Sequence, residues 1–356
     1  MSTPRTHTAL AALLTALMGM GGLLAWPSAQ AQQAAAPVPY YTPQHAIAGH
    51  LNGRAVPQSA AFARTTRDLV HAMQRHCGSE GHLPAARVAW QEALMAWESL
   101  AALATGPLLE RRSLRQVDFQ PMRPELLKRA LARPPQTLTD MSRVGAPAKG
   151  LPGLEHLLWA SPAAPGSPSC AYAVLAAQEV AHEAQTLATA FADLAAREPN
   201  DEADNTAFVE WVNQWLGGLE QLRWTGMEKP LREAETRGKP AVFTRTASGQ
   251  TLAAWRSAWG SLREAALAPT PDTAPTPGTG PVPIETYLRG RGEWRLADRW
   301  RQAVEQADQA MARLQTTTPA DVQATANALK PLLNLMQDQV APALSVNIGF
   351  SSKDGD

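Results

Sequence analysis

The sequence has little cysteine, no surplus of charge and, beyond residue 25, no long apolar run. Only two of its 356 residues are cysteine, and 32 acidic residues balance 32 basic ones. Phosphate binding requires a basic surplus, so this balance argues against nucleic acid as the main partner. A transmembrane helix needs roughly 18 consecutive apolar residues, and no stretch beyond residue 25 approaches that length.

The N-terminus has the three parts of a secretory signal peptide. Arg5 and His7 precede an uncharged apolar run over residues 9–25, and Ala29-Gln30-Ala31 follows as a small-x-small cleavage site. The alternative is a membrane anchor, but the run is short for one and contains three glycines. No cysteine follows it to carry a lipid anchor. We therefore expect cleavage after Ala31 and a periplasmic protein with no transmembrane segment.

The two cysteines, Cys77 and Cys170, remain in the secreted chain. In an oxidising compartment an even pair favours one disulfide, which would stabilise the fold by about 4–5 kcal/mol in the chain-entropy model. The alternative is two buried free thiols.

Apolar residues recur at helical spacing along most of the chain, and no alternating stretch is long enough for a convincing strand. The sequence therefore predicts an all-α fold. Ser248 is the expected N-cap of a helix that starts at Gln250, while residues 226–239 carry no clear pattern. The predicted helices cover residues 59–76, 84–105, 125–132, 136–142, 170–197, 205–224, 250–267, 284–315 and 319–343.

Two segments place tryptophan pairs on one helix face. VAWQEALMAW (residues 88–97) carries Trp90 and Trp97, and LAAWRSAW (residues 252–259) carries Trp255 and Trp259. Such stripes are typical of a hydrophobic core. Their recurrence indicates weak internal symmetry, and hence two up-and-down helical bundles related by duplication.

The expected domain organisation places a boundary near residues 199–205, in the polar stretch PNDEAD. Six prolines within residues 268–283 predict a flexible insert in the second bundle. The predicted units are a signal peptide (1–31), a flexible N-terminal segment (32–56), an N-terminal bundle (57–200) and a C-terminal bundle (201–356).

The histidines match no common metal-binding motif. None of the eight is followed by glutamate three residues later, and no His-Glu-x-x-His is present, so the usual helical pair of a zinc peptidase is missing. Glu179 and His182 lie one turn apart and can form half of a site, although a solvated pair is the commoner outcome. His76, Cys77 and His82 lie near a helix end; a soft-metal site is conceivable there, with the disulfide preferred.

Four segments, taken together, resemble the motifs of one family. KGLPGLEHLLW (149–159) resembles its Gly-x-His-x-x-Glu stretch, and ASGQTLAAW (247–255) resembles the helix start of its second domain. GPLLERRSLRQVDFQPMR (106–123) resembles a loop with Gln120-Pro121 where the family has Trp-Pro, and SVNIGFSSKDGD (345–356) resembles its C-terminal tail. Over residues 60–356 the chain is similar to the imelysin-like proteins, also called peptidase M75.

The resemblance implies two helical bundles with a site between them, an envelope location, and a link to iron acquisition and to insulin-cleaving activity. The family's glycine falls on Gly150 and its glutamate on Glu155, but its histidine position holds Pro152. Proline has no imidazole, so a zinc mechanism would lose a ligand. His156 does not replace it, because adjacent side chains on a helix diverge by about 100°.

Glu155 has two possible roles at this stage. It can be structural, capping a helix or pairing with Arg111, Arg112, Arg115 or Arg123, or it can keep a binding role. The carboxylates of the tail, with Glu155, would suit a hard cation such as an iron or calcium ion. The candidate ligand-binding residues are Glu98, Asp118, Arg123, Glu155, Ser248, Asp354 and Asp356.

We therefore expect an imelysin-like periplasmic protein that is linked to iron or metal uptake. It would be a non-catalytic component that binds a metal ion or small ligand in the interdomain cleft. One alternative is an M75-type metallopeptidase, which the replacement by Pro152 disfavours. The other is an interaction module with a protein partner in the envelope.

Overall fold

A computed structural model describes residues 38–78, 81–269 and 274–349 of the chain. Every regular element in these ranges is helical and none is a strand, which confirms the predicted all-α class. The first nine α-helices are α1 (Pro43–His50), α2 (Val56–Cys77), α3 (Leu83–Ala101), α4 (Pro107–Glu110), α5 (Ser113–Val117), α6 (Pro124–Ala132), α7 (Leu138–Ser142), α8 (Gly150–Glu155) and α9 (Pro168–Ala195). The others are α10 (Asp201–Glu220), α11 (Lys229–Arg237), α12 (Thr251–Ala266), α13 (Ile284–Gly290), α14 (Trp294–Arg313), α15 (Pro319–Leu335) and α16 (Ala341–Ala343).

Four π-helical turns and one 3-10 turn continue or connect these helices. Because each π-helical turn contains an extra residue, it shifts the side chains that follow it around the helix axis. The π-helical turns are Leu51–Ala55, His156–Ala160, Gln221–Glu228 and Met336–Val340, and the 3-10 turn is Ala146–Ala148.

Polar side chains and prolines begin the long helices. The Ser167 hydroxyl accepts a hydrogen bond from the Cys170 N–H at the start of α9, and Pro168 occupies the first turn, where its missing N–H is tolerated. Asn200 caps α10 in the same way, and three acidic residues in the first turn of α10 complement the positive end of the helix dipole. The polar stretch near residue 200 is therefore a helix start.

Helix α2 packs against α3 and α9 in the first half of the chain. A disulfide joins Cys77, the last residue of α2, to Cys170 in the first turn of α9, which confirms the predicted pairing. In the second half of the chain α14 packs against α15. Helix α12, also from the second half, packs against α3 of the first half. The contact between α3 and α12 brings the two halves together where the site lies.

One hydrophobic cluster includes side chains from Tyr41 to Val346. Trp90, Trp97, Trp255 and Trp259 are all at most 5% exposed, so the predicted tryptophan pairs do belong to the core. The cluster contains residues from both sides of the expected boundary near residue 200, and the division into two domains and the duplication stay predictions. No helix in the described ranges has both the length and the apolar character that a membrane span needs.

Two segments that were predicted to be loose are partly ordered. Within residues 32–56, Thr42 and His45 form a capping box that begins α1, and α1 packs against α10. Part of the Pro-rich segment 268–283 packs as well: Val282 is buried, and the Tyr41 hydroxyl donates a hydrogen bond to the Pro275 carbonyl. The expected signal peptide lies outside the described residues.

Candidate functional site

A buried arginine, Arg245, lies among three carboxylates. Its side chain is 1% exposed, and its Nη2 lies 2.5 Å from Asp118 Oδ2 and 3.4 Å from Glu98 Oε1. Its Nη1 lies 3.9 Å from Glu155 Oε2. Arg245 also has a left-handed backbone conformation (φ 64°), which is costly for a residue with a side chain and occurs mainly where the surrounding structure enforces it.

Helices from both halves of the chain position these groups. Glu98 lies in the last turn of α3, Asp118 follows α5 directly, and Glu155 ends α8, whereas Arg245 belongs to the turns before α12. The indole Nε1 of Trp97 donates a hydrogen bond to Asp118 Oδ2 at 3.2 Å. The partners of Arg245 thus lie within or directly after helices, which preorganises the cluster.

The three carboxylates determine the direction in which the pKa of Arg245 is shifted. Burial alone would lower the pKa of Arg245, but the charges of Asp118, Glu98 and Glu155 outweigh it and raise the pKa above its ordinary value. Arg245 therefore stays cationic. Its Nε and Nη1 are buried without a hydrogen-bond partner among the described residues, so two of its nitrogens lack an acceptor.

Glu155 is bound by the backbone and side chain of Ser248. The Ser248 N–H and hydroxyl donate to Glu155 Oε1 at 3.0 and 2.6 Å. The prediction that Ser248 caps α12 is wrong: α12 begins at Thr251, its N-cap is Gln250, and the Ser248 hydroxyl is directed to Glu155 instead. Arg111, one of the proposed partners of Glu155, pairs with Glu183.

The backbone conformation of the 149–159 motif explains why position 150 is a glycine. Gly150 has a φ of 67°, and a Cβ there would overlap the carbonyl oxygen of Val117, so only glycine fits. Pro152 lies in the first turn of α8, where proline is tolerated. Lys149 precedes the helix and is buried, with its Nζ 2.5 Å from Glu179 Oε1. The motif therefore keeps its shape without the histidine.

Arg245 also lines a cavity of about 680 Å³. The cavity is lined by some of the residues between 97 and 123 in the first half of the chain and between 218 and 258 in the second. Gly218 allows α10 to approach the end of α3, because a Cβ there would overlap the carbonyl oxygen of Ala102. The π-helical turn Gln221–Glu228 supplies part of the wall, and such turns occur frequently at functional sites.

The structure brings together most of the predicted site residues. Glu98, Asp118 and Glu155 surround Arg245, and Ser248 binds Glu155. Glu98, Asp118 and Arg123 line the cavity, while Glu155 does not. Asp354 and Asp356 lie outside the described residues. Sequence reasoning missed Arg245; the only signal was its position three residues before Ser248, at the edge of a motif segment.

The residues present do not suit a bare metal ion. Within residues 38–78, 81–269 and 274–349, no group of three or more histidine, cysteine, aspartate or glutamate side chains is arranged to hold one. Glu155, the expected ligand, has one oxygen bound by Ser248 and the other facing Arg245. The conceivable soft-metal site at His76, Cys77 and His82 loses its thiolate to the disulfide.

Glu179 and His182 line a second, smaller cavity of about 400 Å³. Burial, helped by the charge of Glu183, raises the pKa of Glu179 above its ordinary value, although Lys149 opposes the shift. The carboxylate of Glu179 pairs with Lys149, so Glu179 is not the solvated residue that its position on an alanine-rich helix indicated.

Comparison with known proteins identifies both family and fold. The family model described as imelysin, peptidase M75, matches residues 55–345. An imelysin-like protein from Psychrobacter arcticum has a similar structure, with a TM-score of 0.71, 21% identity and coverage of 86% of this chain and 97% of that one. A Parabacteroides distasonis protein, named as an iron-regulated protein A precursor, has a TM-score of 0.67 and 12% identity, and covers 83% and 93%. No curated protein matches this chain.

Proposed function

This chain belongs to the imelysin family, and on that premise we propose that it is a non-catalytic binding protein of the periplasm, linked to iron uptake. Its ligand is a small molecule that binds in the cavity lined by Arg245. One observation carries this proposal: a buried arginine, kept cationic by three carboxylates, lines a cavity whose wall comes from both halves of the chain.

The dimensions of the cavity support a small-molecule ligand. Its volume of about 680 Å³ falls inside the range of about 300–1,000 Å³ that is typical of ligand pockets. Apolar side chains supply much of the wall, with a few charged groups among them. This combination of apolar walls and a few placed polar groups is typical of sites that bind and orient a ligand.

Two sets of residues have different roles in this proposal. Arg245, Asp118, Glu98 and Arg123 line the cavity and present charge to the ligand. Glu155 and Ser248 do not line the cavity; their hydrogen bonds join α8 to the turns that carry Arg245. Glu155 is thus a positioning residue, and its carboxylate helps to hold the guanidinium in place.

Two further observations support the location and the pathway. The N-terminal 31 residues have the pattern of a cleavable signal peptide, and the P. distasonis relative is named as a precursor. The same relative is named as iron-regulated. Both names describe that protein, and they agree with the iron-related role that we propose for this chain.

A peptidase role is the competing proposal, since it is the activity for which the family is named. Pro152 stands where the family histidine would lie, and Glu155 Oε1 already accepts two hydrogen bonds from Ser248. Incubation with insulin B chain, with and without a chelator, tests this role directly. Chelator-sensitive cleavage that is lost in Glu155→Ala would overturn the non-catalytic assignment.

Calorimetric titration tests the binding function. The purified chain is titrated with ferric citrate, Fe²⁺, Zn²⁺ and haem, and we expect saturable heat from at least one of them. Ala258→Trp places an indole in the cavity that Ala258 lines and should abolish that heat, whereas the exposed Ala320→Trp should leave it unchanged. Thr225→Trp is a second cavity-filling variant, should Ala258→Trp fail to fold.

Two outcomes would contradict the binding function. Absence of heat with every probe would leave an envelope interaction module as the better description. Equal binding by the wild type and both folded cavity-filling variants would place the ligand elsewhere on the molecule.

A further inference from the structure

We infer that the cavity binds an organic anion, and that a metal ion enters it only within an anionic chelate. This inference rests on the proposed function and adds the chemical class of the ligand. It follows from the position of the Arg245 guanidinium, from the charges that line the cavity, and from the aromatic side chains of its wall.

The guanidinium of Arg245 lies where a bare cation would have to bind. Glu98, Asp118 and Glu155 are the acidic groups nearest the centre of the site, and each has an oxygen within 4 Å of an Arg245 nitrogen. To coordinate these oxygens, a metal ion would have to displace the guanidinium of Arg245, whose side chain is 1% exposed. The carboxylates therefore neutralise an internal cation, and they are not presented as metal ligands.

The side chains that line the cavity have an excess of positive charge. Four are cationic and two are carboxylates. Even if Glu155, which lies behind Arg245, is added to the acidic side, one positive charge remains in excess. Two of the cationic side chains, Arg123 and Lys229, are exposed and can reach a ligand without first breaking the Arg245 cluster. An anionic ligand gains from this field, whereas a free cation is repelled by it.

The polar and apolar groups of the wall favour a ligand that has oxygen atoms on an organic body. Arg123 and Lys229 are exposed on the cavity wall and can donate hydrogen bonds to a ligand, and a carboxylate is the group that a guanidinium binds best. Trp97, Phe119 and Trp255 supply aromatic surface to the same cavity. A small inorganic anion would leave this surface uncovered, so a carboxylate on a carbon framework fits the cavity better.

A series of probes with one carbon framework and different charge tests the inference on the full secreted chain. Benzoate, benzamide and benzylamine are titrated in parallel, followed by citrate and ferric citrate, and by Ca²⁺ and Zn²⁺ without a chelator. We expect benzoate and citrate to bind, benzamide to bind at least tenfold more weakly, and benzylamine and the free metal ions not to bind. Comparison of citrate with ferric citrate shows whether the free acid or its iron chelate is preferred.

A charge-matched pair of double variants locates the effect in the cavity. Arg123→Gln with Lys229→Gln should weaken the binding of the anions about tenfold, because it removes two charges that can contact the ligand. Arg313→Gln with Lys330→Gln removes one arginine and one lysine from exposed positions that do not line the cavity, and should leave the affinity unchanged.

The outcomes separate this inference from the proposed function. If benzylamine, benzamide or a free metal ion binds as tightly as the anions, the inference is overturned while small-molecule binding stands. If the two double variants weaken binding equally, a general surface charge is responsible and the cavity assignment fails. If no probe of any charge binds, neither this inference nor the proposed function survives.

Discussion

Ser248 donates two hydrogen bonds to a single oxygen of Glu155, although the two residues are 93 positions apart. One comes from the backbone N–H and the other from the hydroxyl, so the carboxylate holds a turn as well as a side chain. The two motif segments that are most recognisable in the sequence therefore meet in space. This contact helps to hold Arg245 in place, because Arg245 precedes Ser248 by only three residues.

We expect Glu155→Ala to lower the free energy of unfolding by about 2–4 kcal/mol, because it removes the acceptor of both Ser248 hydrogen bonds and one of the three carboxylates around the buried Arg245. Ser248→Ala removes only the hydroxyl and should cost about 1 kcal/mol. Ser142→Ala is the control, since its exposed hydroxyl donates only to the nearby Thr139 carbonyl. Urea unfolding checks the order, and equal costs for Glu155→Ala and Ser142→Ala would contradict it.

Replacement of Arg245 by methionine should destabilise the protein by about 3–5 kcal/mol, because the acidic cluster would lose its counter-charge. The same variant should gain a response that the wild type lacks. Once the guanidinium is removed, we expect Glu98, Asp118 and Glu155 to reorient towards the vacated space and to bind a hard cation there, so millimolar Ca²⁺ should raise the Tm of Arg245→Met and leave that of the wild type unchanged. Thermal denaturation with Ca²⁺ or with chelator measures both effects. A Ca²⁺-dependent rise in the wild type would show that the carboxylates are available to metal ions.

Gly150→Ala should be among the most destabilising single substitutions in the motif. It combines a left-handed backbone with a Cβ that overlaps the Val117 carbonyl, and we expect a loss of about 3–5 kcal/mol. Gly166→Ala is a matched control, because Gly166 also has a left-handed backbone (φ 71°) but has open space around the added atom. It should lose about 1–2 kcal/mol. Similar losses in chemical denaturation would mean that the close approach at Val117 is relieved cheaply.

The helical architecture was predictable from the sequence because each helix buries one face, so apolar residues recur at helical spacing within that helix alone. Trp90 and Trp97 illustrate this, since their spacing alone places both on the buried face of α3. The segment before residue 56 was predicted to be loose from its composition. Its helix depends on the capping box of Thr42 and His45 and on packing against α10, and the second of these is a tertiary contact.

The site was predictable only in part, because its centre is formed by long-range pairing. Glu98, Asp118, Glu155 and Ser248 were named from their polarity and their motif segments. Arg245 was not, since no local pattern distinguishes a buried arginine from the other basic residues, and its partners Asp118 and Glu98 are 127 and 147 residues away. The N-cap assignment of Ser248 failed for the same reason: its hydroxyl bonds to a distant carboxylate.

The disulfide should contribute about 4–5 kcal/mol, because it closes a loop with a sequence separation of 93 residues and restricts the unfolded chain. We expect a Cys77→Ser, Cys170→Ser double variant to unfold at correspondingly lower urea concentration than the oxidised wild type. Reduction of the wild type should reproduce the shift and leave the double variant unaffected. Intact mass after alkylation of the denatured, unreduced protein checks the bond itself, and two alkylated thiols would contradict it.

His50 is a buried histidine whose protonation at acid pH should destabilise the folded state. Its Nε2 lies 3.2 Å from the Thr105 hydroxyl, its Nδ1 has no hydrogen-bond partner among the described residues, and its ring faces Trp211. Burial, helped by the charge of Arg54, lowers the pKa of His50 from 6.5 to about 3. The folded state therefore binds the proton far less readily than the unfolded state.

Because the pKa of His50 is depressed by folding, its neutral form stabilises the fold above about pH 6.5, and this stabilisation is lost as the pH falls towards 3. Between pH 7 and pH 4.5 the loss should be about 2–3 kcal/mol. His50→Gln keeps a polar group beside Thr105 but cannot take up a proton, so its urea midpoint should fall less over this interval than that of the wild type. His71→Gln, at an exposed position, should behave like the wild type. An equal fall in all three proteins would assign the acid sensitivity to other groups.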